Sequence, residues 1–231
     1  MSASHRVSTI LCAAAPRGSE TAVERLLEVA QERSVDAIAL VGDLGGNGDG
    51  HSAYRRIFRA LGRAGRPAYW VPGPGDAPLG PYLRESHAVE AVHPMVRGVH
   101  GTAAITPDGH IVVAGMGGEL DDDPEAERDE RTRLRYPRWE AEYRLKLLNE
   151  LAEHARMLLF CTPPVHKGLG RGGSETVTEL VNTHRPRLAV CGGERGAEML
   201  GVTLVVAPGS MSDGSFTIAN LHSQDIELID A

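Results

Sequence analysis

Short loops of small residues follow five apolar runs, at 14–18, 41–44, 71–76, 161–166 and 191–195, and carry the side chains best placed for chemistry. Open α/β sheets collect ligands at the carboxyl ends of their strands, so these loops are candidates as a group. They offer Asp43 after Gly42, Asp76, the guanidinium groups of Arg17 and Arg195, and His166-Lys167 behind Pro163-Pro164. Asp43, Asp49 and His51 share one glycine-rich stretch. With Asp76 they could surround a single hard cation such as Mg or Ca, which often keeps few protein ligands; the competing reading is a solvated loop. His166 and Lys167 could contact a phosphate or supply an acid, against the reading of a plain surface turn. Asp121-Asp122-Asp123 lacks the spaced pattern of a calcium loop and reads as a solvated lid, and 168–173 lacks the Lys-Ser/Thr pair of a phosphate loop.

The elements that must position these loops follow from periodicity. Apolar runs at 7–12, 37–41 and 68–71 alternate with amphipathic stretches at 19–33 and 52–64, a β-α-β-α-β order with parallel strands. In the first of these stretches Ala22, Val23, Leu26, Leu27 and Ala30 form one face, and Glu20, Glu24, Arg25, Glu28 and Arg33 the other. Runs at 101–105 and 110–115 flank Asp108-Gly109, a hairpin signal. Residues 119–135 are rich in charge and read as a mobile surface loop. A helix is expected over 137–154, with Trp139, Tyr143, Leu147, Leu148 and Leu151 as a core stripe. Then come a strand at 157–161, a helix at 174–184, and strands at 188–191, 202–207, 215–221 and 225–229. His93-Pro94 and His100 read as turn residues.

Composition narrows the class. With 42% hydrophobic and 24% charged residues in 231, the chain can bury one sizeable core, and a single domain over 1–231 is expected. The 24 Lys plus Arg against 31 Asp plus Glu give −7, which argues against general nucleic-acid binding unless basic residues cluster locally. No apolar stretch approaches the roughly 20 residues of a membrane span. Run 7–15 resembles a signal peptide only superficially, being interrupted by Ser8 and Thr9. Cys12, Cys161 and Cys191 each sit in an apolar run, as buried reduced thiols do, and a cytoplasmic location is expected.

The five loops, in this order, resemble the motifs of the calcineurin-like metallophosphoesterases: D-x-H, G-D, G-N-H-[DE], H and G-H-x-H. The likeness extends through Val71-Pro72-Gly73, Pro163-Pro164, the helix over 174–184 and Pro208-Gly209-Ser210, nearly the whole chain. Val71 to Pro78, Tyr82-Leu83-Arg84-Glu85 and His166-Lys167-Gly168-Leu169 resemble a small bacterial branch of that family whose function is undetermined. The resemblance implies a four-layer α/β/β/α sandwich of two mixed sheets. It also implies a site that departs from the family pattern. The first motif's Asp and His fall on Ala15 and Arg17, with Gly18 kept. Gly42-Asp43 is intact, and in the family this Asp bridges two metals. Asn and His of the third motif become Pro74 and Gly75, leaving Asp76, which in active relatives orients the catalytic His. The fourth His becomes Cys161, and the last two become Gly193 and Arg195.

A dinuclear centre needs several converging donors to hold its ions and activate the bridging water. Guanidinium groups at two former ligand positions repel divalent cations instead. The expectation is therefore a binding or regulatory module for a phosphate-bearing small molecule or a protein partner. Arg17 and Arg195 would clamp the anion, with Gly18, Gly193 and Lys167 assisting; their internal pairing in an inert cleft is the competing reading. The alternative function is a metal-dependent phosphoesterase acting on phosphomonoesters or phosphodiesters, with Asp43, Asp76 and His166 as catalytic candidates. It would use one weakly bound Mg, Mn or Ca around Asp43, the only retained family ligand, with Asp49 and His51 as lesser ones. Otherwise no cofactor is expected, and homo-oligomerisation is left open.

Overall fold

The computed structural model describes residues 6–45, 50–170 and 172–230. The chain opens with alternating units: β1 (Thr9–Ala14), α1 (Glu20–Glu32), β2 (Ala37–Val41), α2 (Gly50–Arg63), β3 (Ala68–Val71), α3 (Leu79–Val92) and β4 (Val96–Gly98). The hairpin β5 (Thr102–Ile105) and β6 (Ile111–Met116) turns at Asp108-Gly109 as expected. The second half runs β7 (Glu119–Asp121), β8 (Arg135–Pro137), α4 (Arg138–Leu145), β9 (Ala155–Phe160), α5 (Glu175–His184) and β10 (Leu188–Cys191). It closes with β11 (Gly196–Leu200), β12 (Thr203–Ala207), β13 (Ser215–Asn220) and β14 (Ile226–Asp230).

Two six-stranded mixed sheets result, in the orders β14-β13-β1-β2-β3-β4 and β11-β12-β10-β9-β6-β5. Their central strands are parallel and their outer hairpins antiparallel. Alternate residues of each strand face opposite ways. Ile10, Cys12, Ala39 and Val41 share a core between the sheets with Val113, Leu159, Val190 and Val206. Leu11, Ala13, Ile38 and Leu40 face outward onto Leu26, Phe58 and Leu61 of the helices. Both faces are thus covered, which is why β2 reads as an unbroken apolar run. The result is the α/β/β/α sandwich. No helix among the described residues is long and apolar enough to cross a membrane.

Three local expectations are corrected. The segment 119–135 is tied into the fold: β7 and β8 pair in parallel, and Leu120, Leu134 and Tyr136 are buried. Asp122 accepts from Ser174 Oγ at 2.7 Å and from the Glu175 and Thr176 N–H groups, anchoring the start of α5. The helix from 137 is shorter than expected and continues only as a 3₁₀ turn over Lys146–Asn149. Of the expected stripe Leu148 is buried and Leu147 and Leu151 pack against the core, but within α4 the inward face is Ala141 and Leu145, while Trp139 and Tyr143 stand 60% and 73% exposed. Both stripes have helical spacing; the attachment of α4 to β8 through buried Tyr136 and Pro137 chooses between them. His100 is not a turn residue in solvent. Its Nδ1 accepts from the Gly117 N–H at 3.0 Å, so Nε2 carries the proton and donates to Tyr136 Oη at 3.0 Å.

Helix α3 and the short strands β4 and β11 were not legible in the sequence. Gly80 and Pro81 in the first turn of α3 obscure its start, and β11 is a partly exposed edge strand with a weak apolar pattern.

Candidate functional site

The carboxyl ends of β1, β2, β9 and β10 converge on a cavity of about 250 Å³, lined by Arg17, Gly42, Asp43, Cys161, Gly193 and Ser210 among others. Its loops are stitched by main-chain bonds: Ala15 N–H to Val41 O at 3.0 Å, Arg17 N–H to Asp43 O at 2.9 Å, and Gly18 N–H to Leu44 O at 2.9 Å. Ala15, Arg17 and Asp43 all adopt the left-handed region, with φ of 52°, 48° and 38°. Residues with a Cβ pay a steric penalty there, and such strain concentrates where a fold presents side chains for use.

Asp43 is half-buried at the cavity wall, and its Oδ1 accepts from the Gly75 N–H at 2.8 Å. A Cβ at Gly75 would lie 2.9 Å from that oxygen, and one at Gly73 only 2.0 Å from the Asp43 nitrogen. Glycine at 73 lets the two loops touch backbone to backbone.

Asp76 does not face the cavity. It is fully buried and accepts from the N–H groups of Leu44, Gly45 and Gly73 at 2.7–2.8 Å, and from Tyr54 Oη at 2.8 Å. Burial pushes its carboxyl up to about 6, with these donors pulling the other way. Its role is to hold the loop after β2 against the loop after β3.

The two arginines are not brought together. Arg17 is exposed at the cavity, and no carboxylate among the described residues pairs with its guanidinium. Arg195 turns to β14, pairing with Asp230 and donating to Ile229 O at 2.9 Å. Of the glycines, Gly18 spends its N–H on Leu44, whereas the N–H of Gly193, at φ 123°, has no main-chain acceptor among the described residues. His166 accepts from Gly168 N–H at 3.3 Å within its own turn, and Lys167 is exposed; neither lines the cavity. His51 sits 3.8 Å from Glu85, not beside Asp43 or Asp76, and Asp49 lies outside the described residues.

A second cavity of about 520 Å³ adjoins the first through Cys161 and Gly193 and is lined by Glu119, Asp121, Asp122, Arg133 and Thr162. Arg133 pairs with Glu119 at 2.6 Å. This wall was missed in the sequence because 119–135 read as a lid, and its acidic density was the available signal. Desolvation, reinforced by Asp43 and Asp76, pushes the Cys161 thiol well above its ordinary value; the side chain packs against Gly42, is only partly buried and lines both cavities.

Compared with known proteins, residues 49–230 match the family described as metallophosphoesterase, calcineurin superfamily. A solved structure, TT1561 of Thermus thermophilus, is 42% identical over 97% of this chain and 99% of its own, with a TM-score of 0.92. The chain belongs to the calcineurin superfamily of metallophosphoesterases. Another solved structure is 26% identical over 96% of this chain and 98% of its own, at TM-score 0.88. A dimetal phosphatase from Danio rerio shares the fold at TM-score 0.62 and 12% identity, over 96% of this chain and 95% of its own. No curated protein matches the chain significantly.

The family match begins after the first two motif loops, so Arg17 and Asp43 fall outside it. Beside Asp43 the cavity is lined by Ala15, Arg17, Cys161, Gly193 and Ser210, with no second carboxylate and no imidazole among its described lining residues. Among the described residues no three His, Cys, Asp or Glu side chains are grouped to hold a metal ion.

Proposed function

We propose that this superfamily member is an anion-binding module, whose cleft at the strand ends takes a phosphate-bearing small molecule. The observation that carries the reading is Arg17. Its side chain lines the cavity without a carboxylate partner among the described residues, and Gly193, whose N–H has no main-chain acceptor among them, lines the same cavity. A forked cation and a free main-chain donor are the groups that recognise phosphate. Arg195 drops out of the clamp because Asp230 and the Ile229 carbonyl of β14 occupy it.

The donor set does not fit a pair of divalent ions. Asp76 is consumed by its four hydrogen bonds, Asp43 Oδ1 by Gly75, and the remaining positions offer a methyl, a guanidinium, a neutral thiol or hydrogen. The three cysteines are free, in keeping with a reducing cytoplasm as the protein's setting.

A second reading, a phosphoesterase using one Mg, Mn or Ca, draws on a single observation: Asp43 Oδ2 accepts no hydrogen bond among the described residues. Thermal shift with inorganic phosphate and with a nucleotide separates the two. At ten times Kd, a ligand specific for the folded state adds about 1.4 kcal/mol, or roughly 3–5 °C in Tm for a chain of this size. The anion reading expects that shift to vanish in Arg17→Ala and persist in Arg195→Ala. Metal-dependent hydrolysis of a generic phosphate ester, lost in Asp43→Ala, would replace it with the second reading.

A further inference from the structure

The chain is acidic overall, yet α2 carries Arg55, Arg56, Arg59 and Arg63 and no Asp or Glu. Three of these, spaced four residues apart, line one groove of about 410 Å³ between α2 and α3. Besides Glu85 and His93 its other walls are apolar: Phe58 and Val89 are buried in the floor, and Val92 stands 71% exposed at the rim. Because α2 starts near the carboxyl end of β2 and runs back along the sheet, Arg59 and Arg63 lie toward the end away from the cleft.

The one acid in the lining, Glu85, is already neutralised. It is 6% exposed and held in a fork by Arg55, with Nε to Oε2 and Nη2 to Oε1 both at 3.0 Å. Arg59 feels Glu85 only at longer range, and neither Arg59 nor Arg63 forms an ion pair among the described residues. Two guanidinium side chains therefore remain, from Cα positions about 6 Å apart along the helix axis by its rise per residue, beside exposed apolar surface. The C-terminal end of α2 carries partial negative charge, so an anion there must be held by the side chains and not by the helix backbone.

We propose that this groove is a second ligand site, for a small amphiphilic anion: a phosphate monoester with a short apolar group, its phosphate between Arg59 and Arg63 and its tail against Val89 and Val92. The volume is that of small-molecule sites, of the order of 300–1,000 Å³. A stable protein interface needs about 800 Å² per partner and aromatic anchors, and Val92 alone offers little of that. Two free guanidinium groups are also fewer than the roughly 4–8 basic residues that draw a protein to an anionic membrane.

Calorimetric titration of n-hexyl phosphate into the full chain carrying Arg17→Gln isolates the groove from the cleft. We expect one site, at least tenfold tighter than for inorganic phosphate. The added Arg59→Gln/Arg63→Gln pair should weaken it at least tenfold, and Val92→Ser should narrow the hexyl preference. All three positions are exposed, and circular dichroism verifies that the variants fold. No heat at millimolar ligand in the Arg17→Gln background overturns the proposal, as does binding indifferent to the arginine pair. So does an oligoglutamate peptide that binds through Arg59 and Arg63 where hexyl phosphate does not, since the occupant would then be an acidic protein segment.

Discussion

Asp43 Oδ1 and the Gly75 N–H are joined by a 2.8 Å hydrogen bond. A Cβ at position 75 would approach the same oxygen to 2.9 Å. The carboxylate thus sits where a side chain at 75 would begin. Any side chain introduced there would therefore move Asp43.

Asp43→Asn keeps an acceptor for Gly75 and removes a negative charge from the cavity that Arg17 lines. We expect stability to change by less than about 1 kcal/mol, in the range of a retained hydrogen bond, and phosphate affinity to rise several-fold. Isothermal titration with inorganic phosphate checks this; weaker binding in the variant would contradict the anion reading.

Asp76→Ala leaves three main-chain N–H groups and Tyr54 Oη without their acceptor in a buried setting. Unsatisfied buried donors cost about 1–3 kcal/mol each where they cannot reach water, so a loss of about 3–5 kcal/mol is expected in urea unfolding. Tyr54→Phe removes one donor only and should cost about 1 kcal/mol. Equal costs for the two would show that the loops hold without Asp76.

Burial, with the Arg144 guanidinium nearby, pulls His100 down to about 3. The unfolded chain takes up this proton near pH 6.5 and the folded chain does not, so the stability His100 contributes is full above about 6.5 and lost as pH falls toward 3. The loss reaches about 2 kcal/mol by pH 5. Asp76, raised to about 6, works with the opposite sign: its contribution is present below about 4 and lost as pH rises to about 6. The test is thus the difference in unfolding free energy between wild type and His100→Gln, which should shrink from pH 7 to pH 5. A constant difference would mean that His100 does not titrate differently on folding.

The outward turn of Trp139 and Tyr143 is checked by truncation. Leu148 is fully buried, and Leu148→Ala should cost about 2–5 kcal/mol, whereas Trp139→Ala should stay within about 0.5 kcal/mol. A large loss at Trp139 would reverse the assignment of the α4 faces.

Much of the architecture was legible because the central strands are buried on both faces, so 37–41 and 68–71 appear as uninterrupted apolar runs whatever their neighbours. The loops at their ends could be placed for the same reason. The face that α4 turns inward could not, since Trp139/Tyr143 and Ala141/Leu145/Leu148 obey the same period; nor could the docking of 119–135, whose Asp122 is satisfied by Ser174 and the first N–H groups of α5, far along the chain.

By its residue types alone the chain determined its superfamily, its strand-end loops and the residues those loops carry, Arg17, Asp43, Asp76, Cys161 and Arg195 among them. Tertiary structure alone decided which charges are spent: Arg195 on Asp230, Asp76 on its loop, Arg55 on Glu85, with Arg17, Arg59 and Arg63 left facing cavities. The reason is distance. A charge's partner is whichever group the fold brings within a few ångströms, and spacing along the chain carries that information only within one helix or one turn.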